Sequence, residues 1–322
     1  MKAIQVTRTG GPEVLEVRDL PIPEPTENDI VVKLEAAGVN YVDVYHRDGR
    51  YATNPPFTIG QEGTGIVSAV GRGVREFKSG DRVAWTGIMG SYAEYVKLPA
   101  ARAVRVPGKM SVQQAGAVML QGMTAHYLSH DTYPLKKGDA ALVHAAAGGV
   151  GLLLVQMAHR LGARVIGTVS TEEKAVLARK AGADEIILYT QTDFESETRR
   201  LTSNSGVQVV YDSVGKTTFD KGLSLIVPRG MMILYGASSG NVPPFDLGIL
   251  AQKGSLYVTR PTLASYIATR QELLARSKAV FDMILSGELD LRIGQTYKLE
   301  NAAQAHKDLE ARKTTGKLLL MP

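Results

Sequence analysis

An apolar run, Leu142-Val143-His144, passes directly into Ala145-Ala146-Ala147-Gly148-Gly149-Val150-Gly151, and a helical pattern from Val150 to Leu161 follows at once. Strand, small-residue turn and helix must then form one βα unit. In such a unit the glycines let the backbone approach a pyrophosphate, and the helix N-terminus offers unpaired N–H groups and a positive dipole end. Against the G-x-G-x-x-G template, Gly148 and Gly151 fill the last two places and Ala146 the first. Ala147, Gly148, Gly149, Val150 and Gly151 are therefore candidate cofactor-binding residues. Short glycine patterns also occur in turns that bind nothing, so the surrounding chain has to decide.

That context is an alternation of strands and helices. After Ala140 to His144 come strands at Arg164 to Val169, Glu185 to Tyr189, Val207 to Tyr211, Gly230 to Leu234 and Ser255 to Thr259, with helical stretches between most of them. Successive βα steps predict a parallel sheet, because parallel neighbours need a crossover. Residues 1 to about 122 have a different texture. Short alternating segments (Ile30 to Leu34, Gly65 to Val70, Arg82 to Trp85, Tyr92 to Lys97) are punctuated by turns such as Ser79-Gly80-Asp81, which reads as a β-rich domain. The last part holds amphipathic helices at Gln271 to Ser286 and Ala302 to Lys313 and a strand at Gly316 to Leu320, expected to rejoin the N-terminal part. The expected division is 1–124 with 263–322, and 125–262, an α/β chain with a doubly wound parallel sheet and a β-rich domain.

Composition narrows the chemistry. With no cysteine, disulfides, thiolate nucleophiles and cysteine-ligated zinc are excluded, and a cytoplasmic location is the expectation. The net charge of +5 is spread without long like-charged runs, which argues against nucleic acid as a partner. No window approaches the roughly 18 apolar residues of a membrane span. His126 and His130 are spaced i, i+4, and the preferred reading is a solvated helix-surface pair rather than metal ligands.

Several ordered motifs give the chain a resemblance: Gly10-Gly11-Pro12-Glu13-Val14-Leu15, Gly38-Val39-Asn40-Tyr41-Val42-Asp43, Gly60-Gln61-Glu62-Gly63-Thr64-Gly65, Gly80-Asp81-Arg82-Val83, the glycine turn, Val210-Tyr211-Asp212-Ser213-Val214-Gly215 and Tyr257-Val258-Thr259-Arg260-Pro261. Over essentially its whole length it resembles the zinc-independent quinone oxidoreductases, zeta-crystallin-like members of the medium-chain dehydrogenase/reductase superfamily. The resemblance implies a GroES-like β domain with a Rossmann domain, the active cleft lying between them, a homodimer and NADPH-dependent reduction of a small quinone. Zinc dehydrogenases of the superfamily have cysteine where Asn40 stands and histidine where Gln61 stands, so no metal is expected.

Residue by residue, the resemblance implies a pocket facing the nicotinamide built from Gly38 to Tyr45, with Asn40, Asp43, Tyr45, Tyr51 and Thr124 positioning substrate or cofactor. Asn40 supplies an amide donor and acceptor. Tyr51 reads either as a stacking surface and proton donor or as a lid aromatic without chemical role, and Arg47 as either a steering cation or a surface residue. Gln121 replaces the family's usual lysine, removing a cation. The position after the second βα strand is Ser170, where NAD-specific folds usually carry an acid. With Lys174 and Tyr189 it favours a 2′-phosphate; the alternative is a solvated lysine and a strand-end aromatic. Arg312 matches a family arginine with the same two readings. Ser213, Tyr235, Gly236, Ser238, Val258, Thr259 and Arg260 complete the expected cofactor crevice. The rival functions are an NADPH-dependent reductase of activated C=C bonds (enals, enones or enoyl thioesters) and a non-catalytic NADPH-binding protein.

Overall fold

The computed structural model describes all 322 residues, which divide into two compact units: Met1–Met123 with Ile267–Pro322, and Thr124–Tyr266. Thr124 and residues 263–266 thus belong to the second unit.

The first segment of unit 1 runs β1 (Lys2–Val6), β2 (Leu15–Asp19), β3 (Asp29–Val39), α1 (Tyr41–Arg47), β4 (Phe57–Thr58), β5 (Glu62–Val70), β6 (Arg82–Thr86), β7 (Tyr95–Pro99), β8 (Val104–Arg105) and α2 (Val112–Tyr127), whose last turn passes the boundary. Unit 2 continues with β9 (Ala140–His144), α3 (Gly149–Arg160), β10 (Arg164–Val169), α4 (Glu172–Lys180), β11 (Glu185–Leu188), α5 (Phe194–Leu201), β12 (Val207–Asp212), α6 (Phe219–Leu223), β13 (Ile226–Leu234), α7 (Gly248–Gln252), β14 (Tyr257–Thr259) and α8 (Leu263–Tyr266). Unit 1 is completed by α9 (Arg270–Leu285), β15 (Ile293–Lys298), α10 (Ala302–Glu310) and β16 (Lys317–Met321).

In unit 2 the sheet order is β11-β10-β9-β12-β13-β14, all neighbours parallel. Counted from β9, this is the 3-2-1-4-5-6 order of the Rossmann fold, as expected. Its strands read as near-continuous apolar runs because a parallel sheet is covered on both faces. Leu142, Ile166, Val210, Phe219 and Met232 form its core.

In unit 1, β3 is the organising strand. It pairs antiparallel with β5, β7 and β16, and β15 lies parallel on the outer side of β16. Ile30, Val32, Trp85, Leu98, Leu318 and Leu320 pack in its core, and Tyr297 and Leu299 come from the same late segment. α9 opens with a complete capping box between Thr269 and Glu272. Elements not apparent in the sequence include β2, α1, α2 and β15. β15 (Ile-Gly-Gln-Thr-Tyr-Lys) is polar along most of its length and mostly exposed, which is why its pattern is weak.

Candidate active site

In unit 2 the site is built at the C-terminal ends of the parallel strands. β9 ends at His144; Ala145 then takes a left-handed φ of 53°, turning the chain toward α3. Gly148 donates its N–H to the Ala145 carbonyl at 2.9 Å and is the N-cap of α3, where no side chain caps the helix. The leading N–H groups of the helix therefore remain available to an anion. Gly151 allows the tight packing: a Cβ there would lie 2.3 Å from the Ala145 carbonyl oxygen. This cradle fits a pyrophosphate.

Beside it, β10 and β11 run parallel, with Tyr189 donating its N–H to the Val169 carbonyl at 3.1 Å and Thr190 Oγ1 donating to the Ser170 carbonyl at 2.9 Å. Ser170 and Tyr189 thus lie on adjoining strand ends. Thr171 caps α4 by accepting the Lys174 N–H at 3.3 Å, which starts the helix carrying the Lys174 side chain. Of the two acids in that first turn, Glu172 is paired with Arg179 at 2.6 Å. No carboxylate stands at the end of β10 itself.

At β12 the buried Asp212 carboxylate accepts from Val214 N (2.7 Å), Gly215 N (3.0 Å) and Thr218 Oγ1 (2.8 Å), which shapes the turn containing Ser213. Tyr235 N–H donates to the Asp212 carbonyl at 2.8 Å and Ser238 N–H to that of Ser213 at 3.1 Å, so Ser213, Tyr235, Gly236 and Ser238 converge. Val258 and Thr259 pair with Met232 and Ile233 in β14, and Arg260 Nη1 donates to the Leu234 carbonyl at 3.1 Å. A residue that sequence reasoning passed over is His144. It is buried, its Nδ1 is 2.9 Å from Thr168 Oγ1, and burial pushes its pKa down, so it is a neutral imidazole under the turn. His126 and His130 are half-buried and stacked face to face, with ring centroids 4.2 Å apart, rather than solvated on a helix surface.

In unit 1 the Gly38 to Tyr45 segment is the end of β3 followed by α1. Asn40 is 3 % exposed, and its amide is engaged on both sides. Oδ1 accepts from Lys317 Nζ at 2.7 Å and from Gln121 Nε2 at 3.4 Å; Nδ2 donates to Glu62 Oε2 at 2.9 Å and to the Gly38 carbonyl at 3.2 Å. Glu62 also accepts the Leu120 N–H at 2.7 Å and the Lys317 ammonium. Gly38 is required by this arrangement, because a Cβ there would lie 2.3 Å from Glu62 Oε2. Burial pulls the Lys317 pKa down while Glu62 holds it up. Glu62 and Lys317 were not recognised in the sequence as site residues. A cation is present despite Gln121: it arrives on β16.

Asp43 is also buried. Its Oδ2 accepts the Asn40 N–H (2.9 Å), one half of a capping box, and the Tyr92 hydroxyl (3.0 Å). Burial pushes its pKa up to about 7, opposed by those hydrogen bonds and by Lys317. Arg47 is neither a steering cation nor a surface residue. It is buried, donating to both Glu310 carboxylate oxygens (2.8 and 2.9 Å), the Gly10 carbonyl (3.1 Å) and His306 Nδ1 (3.1 Å). Tyr45 is buried; Tyr51 is 40 % exposed and packs edge-on against it at 5.3 Å, its N–H donating to the Tyr45 carbonyl at 2.8 Å. Thr124 is buried in the last turn of α2, and Arg312 follows α10 with a left-handed φ of 57°.

Two family models match the chain, "Alcohol dehydrogenase GroES-like domain" over residues 26–108 and "Zinc-binding dehydrogenase" over residues 149–278. The donor set around position 40 does not suit a zinc ion, because the Lys317 ammonium already lies against Asn40 and Glu62. The chain is 47 % identical to a quinone oxidoreductase of Pseudomonas aeruginosa, over 100 % of this chain and 99 % of the relative. It is 40 % identical to a 2-haloacrylate reductase of a Burkholderia species, over 99 % and 98 %. The crystal structure of Escherichia coli quinone oxidoreductase complexed with NADPH matches with a TM-score of 0.98 at 44 % identity, each chain being covered completely.

Proposed function

The chain belongs to the zinc-independent quinone oxidoreductase family of the medium-chain dehydrogenase/reductase superfamily, and on that premise we propose that it is an NADPH-dependent reductase of quinones. The observation that carries the reading is the set of strand ends in unit 2, where an uncapped α3 N-terminus lies in the same β9-α3-β10-α4-β11 run as Ser170, Lys174 and Tyr189. Ala147, Gly148, Gly149, Val150 and Gly151 hold the pyrophosphate. Ser170, Lys174 and Tyr189 take the 2′-phosphate. Ser213, Tyr235, Gly236, Ser238, Val258, Thr259 and Arg260 line the remainder.

When bound, NADPH would supply the reducing equivalents by direct transfer from its nicotinamide, the balance being quinone, NADPH and one proton to hydroquinone and NADP+. The protein's part is orientation and exclusion of water. Tyr45 and Tyr51 offer ring surface to a planar acceptor. Asn40 acts as a strut, since its amide is committed to Lys317, Glu62 and Gly38. The protein is cytoplasmic and homodimeric in this reading. Support for the dimer is the position of β14 as the outermost strand with Tyr257 exposed, an edge that pairing would cover. No helix is long and apolar enough to cross a membrane.

The likeness to 2-haloacrylate reductase favours reduction of an activated C=C bond as a second reading. Oxidation of NADPH, followed by its absorbance with benzoquinone, phenanthrenequinone, an enone and an enoyl thioester, separates the two. Turnover confined to the quinones is the expected result. Turnover of the enone or thioester alone would transfer the enzyme to the second reading, and NADPH binding with no turnover would leave a non-catalytic binding protein.

A further inference from the structure

The hydrogen bonds that join α10 to α1 run in one direction, and chemistry forces that direction. The Arg47 guanidinium can only donate, so His306 Nδ1, 3.1 Å from Nη1, must accept. The imidazole then carries its proton on Nε2, which lies 3.1 Å from Tyr92 Oη. With its oxygen accepting from His306, Tyr92 directs its own hydrogen to Asp43 Oδ2 at 3.0 Å. The same oxygen receives the Asn40 N–H at 2.9 Å, where α1 begins.

Every side chain between the ends is buried. Burial and the neighbouring Arg47 push the His306 pKa down to about 3, which keeps the ring neutral and the donor order intact near neutrality. The chain is anchored at two places. Tyr92 is fixed to the β1–β4 region, since its carbonyl accepts the Ile4 N–H at 2.8 Å and its N–H donates to the Ile59 carbonyl at 2.9 Å. His306 lies edge-on to the Tyr92 ring with centroids 5.8 Å apart.

We propose that His306 is a positioning residue: by fixing which way the Tyr92 hydroxyl points, it holds the Asp43 carboxylate on the Asn40 backbone and so sets α1, the helix that carries Tyr45. Its kinetic consequence rests on the function proposed above; its structural consequence does not. A carboxylate left without the Tyr92 hydroxyl would lose one of the two donors on Oδ2, and the first turn of α1 would loosen.

The test uses His306→Leu, Tyr92→Phe and His306→Gln in the full-length protein. The glutamine retains an acceptor and a donor, and the phenylalanine removes only the linking hydroxyl, which keeps the test decisive should His306→Leu not fold. Amide hydrogen exchange in the peptide spanning residues 38–47 is expected to quicken about tenfold in the leucine and phenylalanine variants, the equivalent of one buried hydrogen bond, and to stay near wild type in the glutamine variant. Quinone KM is expected to rise by a similar factor in the first two with kcat within about twofold, and to recover in the third. Unchanged exchange in residues 38–47 in the disrupted variants, or a glutamine variant that behaves like the leucine variant, would overturn the proposal. Absence of quinone turnover in the unmodified protein would instead remove the functional reading and leave the exchange result to stand on its own.

Discussion

Lys317 Nζ donates to Glu62 Oε2 where neither side chain reaches solvent, both being 0 % exposed. A buried ion pair is a weak source of net stability, but removing one member strands the other charge. Lys317→Met is therefore expected to destabilise by about 3–5 kcal/mol. Adding Glu62→Gln should return a substantial part of that loss. Urea midpoints of the single and double variants measure it, and simple additivity of two losses would contradict the account.

Asp43 gives a pH signature. Its pKa in the folded protein, pushed up to about 7 by burial, stands above its unfolded value of roughly 4. Folding therefore favours the protonated carboxyl. Its contribution is complete below the unfolded value and is eroded as pH rises through the folded one. The difference in melting temperature between the protein and Asp43→Asn should fall from about pH 4 to about pH 7 and flatten above it. A difference constant across that window would show that Asp43 is ionised throughout.

The reading of the sequence succeeded where chemistry is local. β9, the glycine turn, α3 and β10 are contiguous, and each signal is carried by residues a few places apart. The strand ends bearing Ser170 and Tyr189 follow from the same period. What could not be read were partnerships across the chain: Lys317 looks like an ordinary lysine at the start of a strand, and its partners Asn40 and Glu62 are 277 and 255 positions away. Nothing in the short pattern around Arg47 distinguishes a surface cation from one buried on His306 and Glu310 either. α1 was hidden because Asn40 to Arg47 is short and aromatic-rich, and its start depends on a carboxylate held by Tyr92.

Gly151→Ala tests the cradle. The added methyl would meet a backbone oxygen at 2.3 Å, which cannot move aside like a side chain. Loss of about 1–3 kcal/mol of stability is expected, together with at least tenfold weaker NADPH binding. Gly108→Ala, where a Cβ meets nothing within 4 Å, serves as the control. Equal NADPH affinity in the two variants would refute the role given to Gly151.

Lys174→Ala separates the two nicotinamides. The expected outcome is an NADPH Kd raised about tenfold with NADH binding nearly unchanged, as for the loss of one charged contact to phosphate. Titration calorimetry with both nucleotides decides it, and equal losses would remove Lys174 from the 2′-phosphate site.

A ribosome emitting this chain delivers Asn40 and Glu62 early, then all of unit 2, and only afterwards β16 with Lys317. Throughout that interval the nascent N-terminal segment holds an acidic side chain whose counter-charge does not yet exist, and β3 lacks β16 along one edge. Unit 2, being one uninterrupted stretch, has no such debt and can fold as soon as it emerges. Completion of unit 1 therefore waits for β16, and arresting translation just before Lys317 should leave unit 2 resistant to protease while residues 1–123 remain open to it.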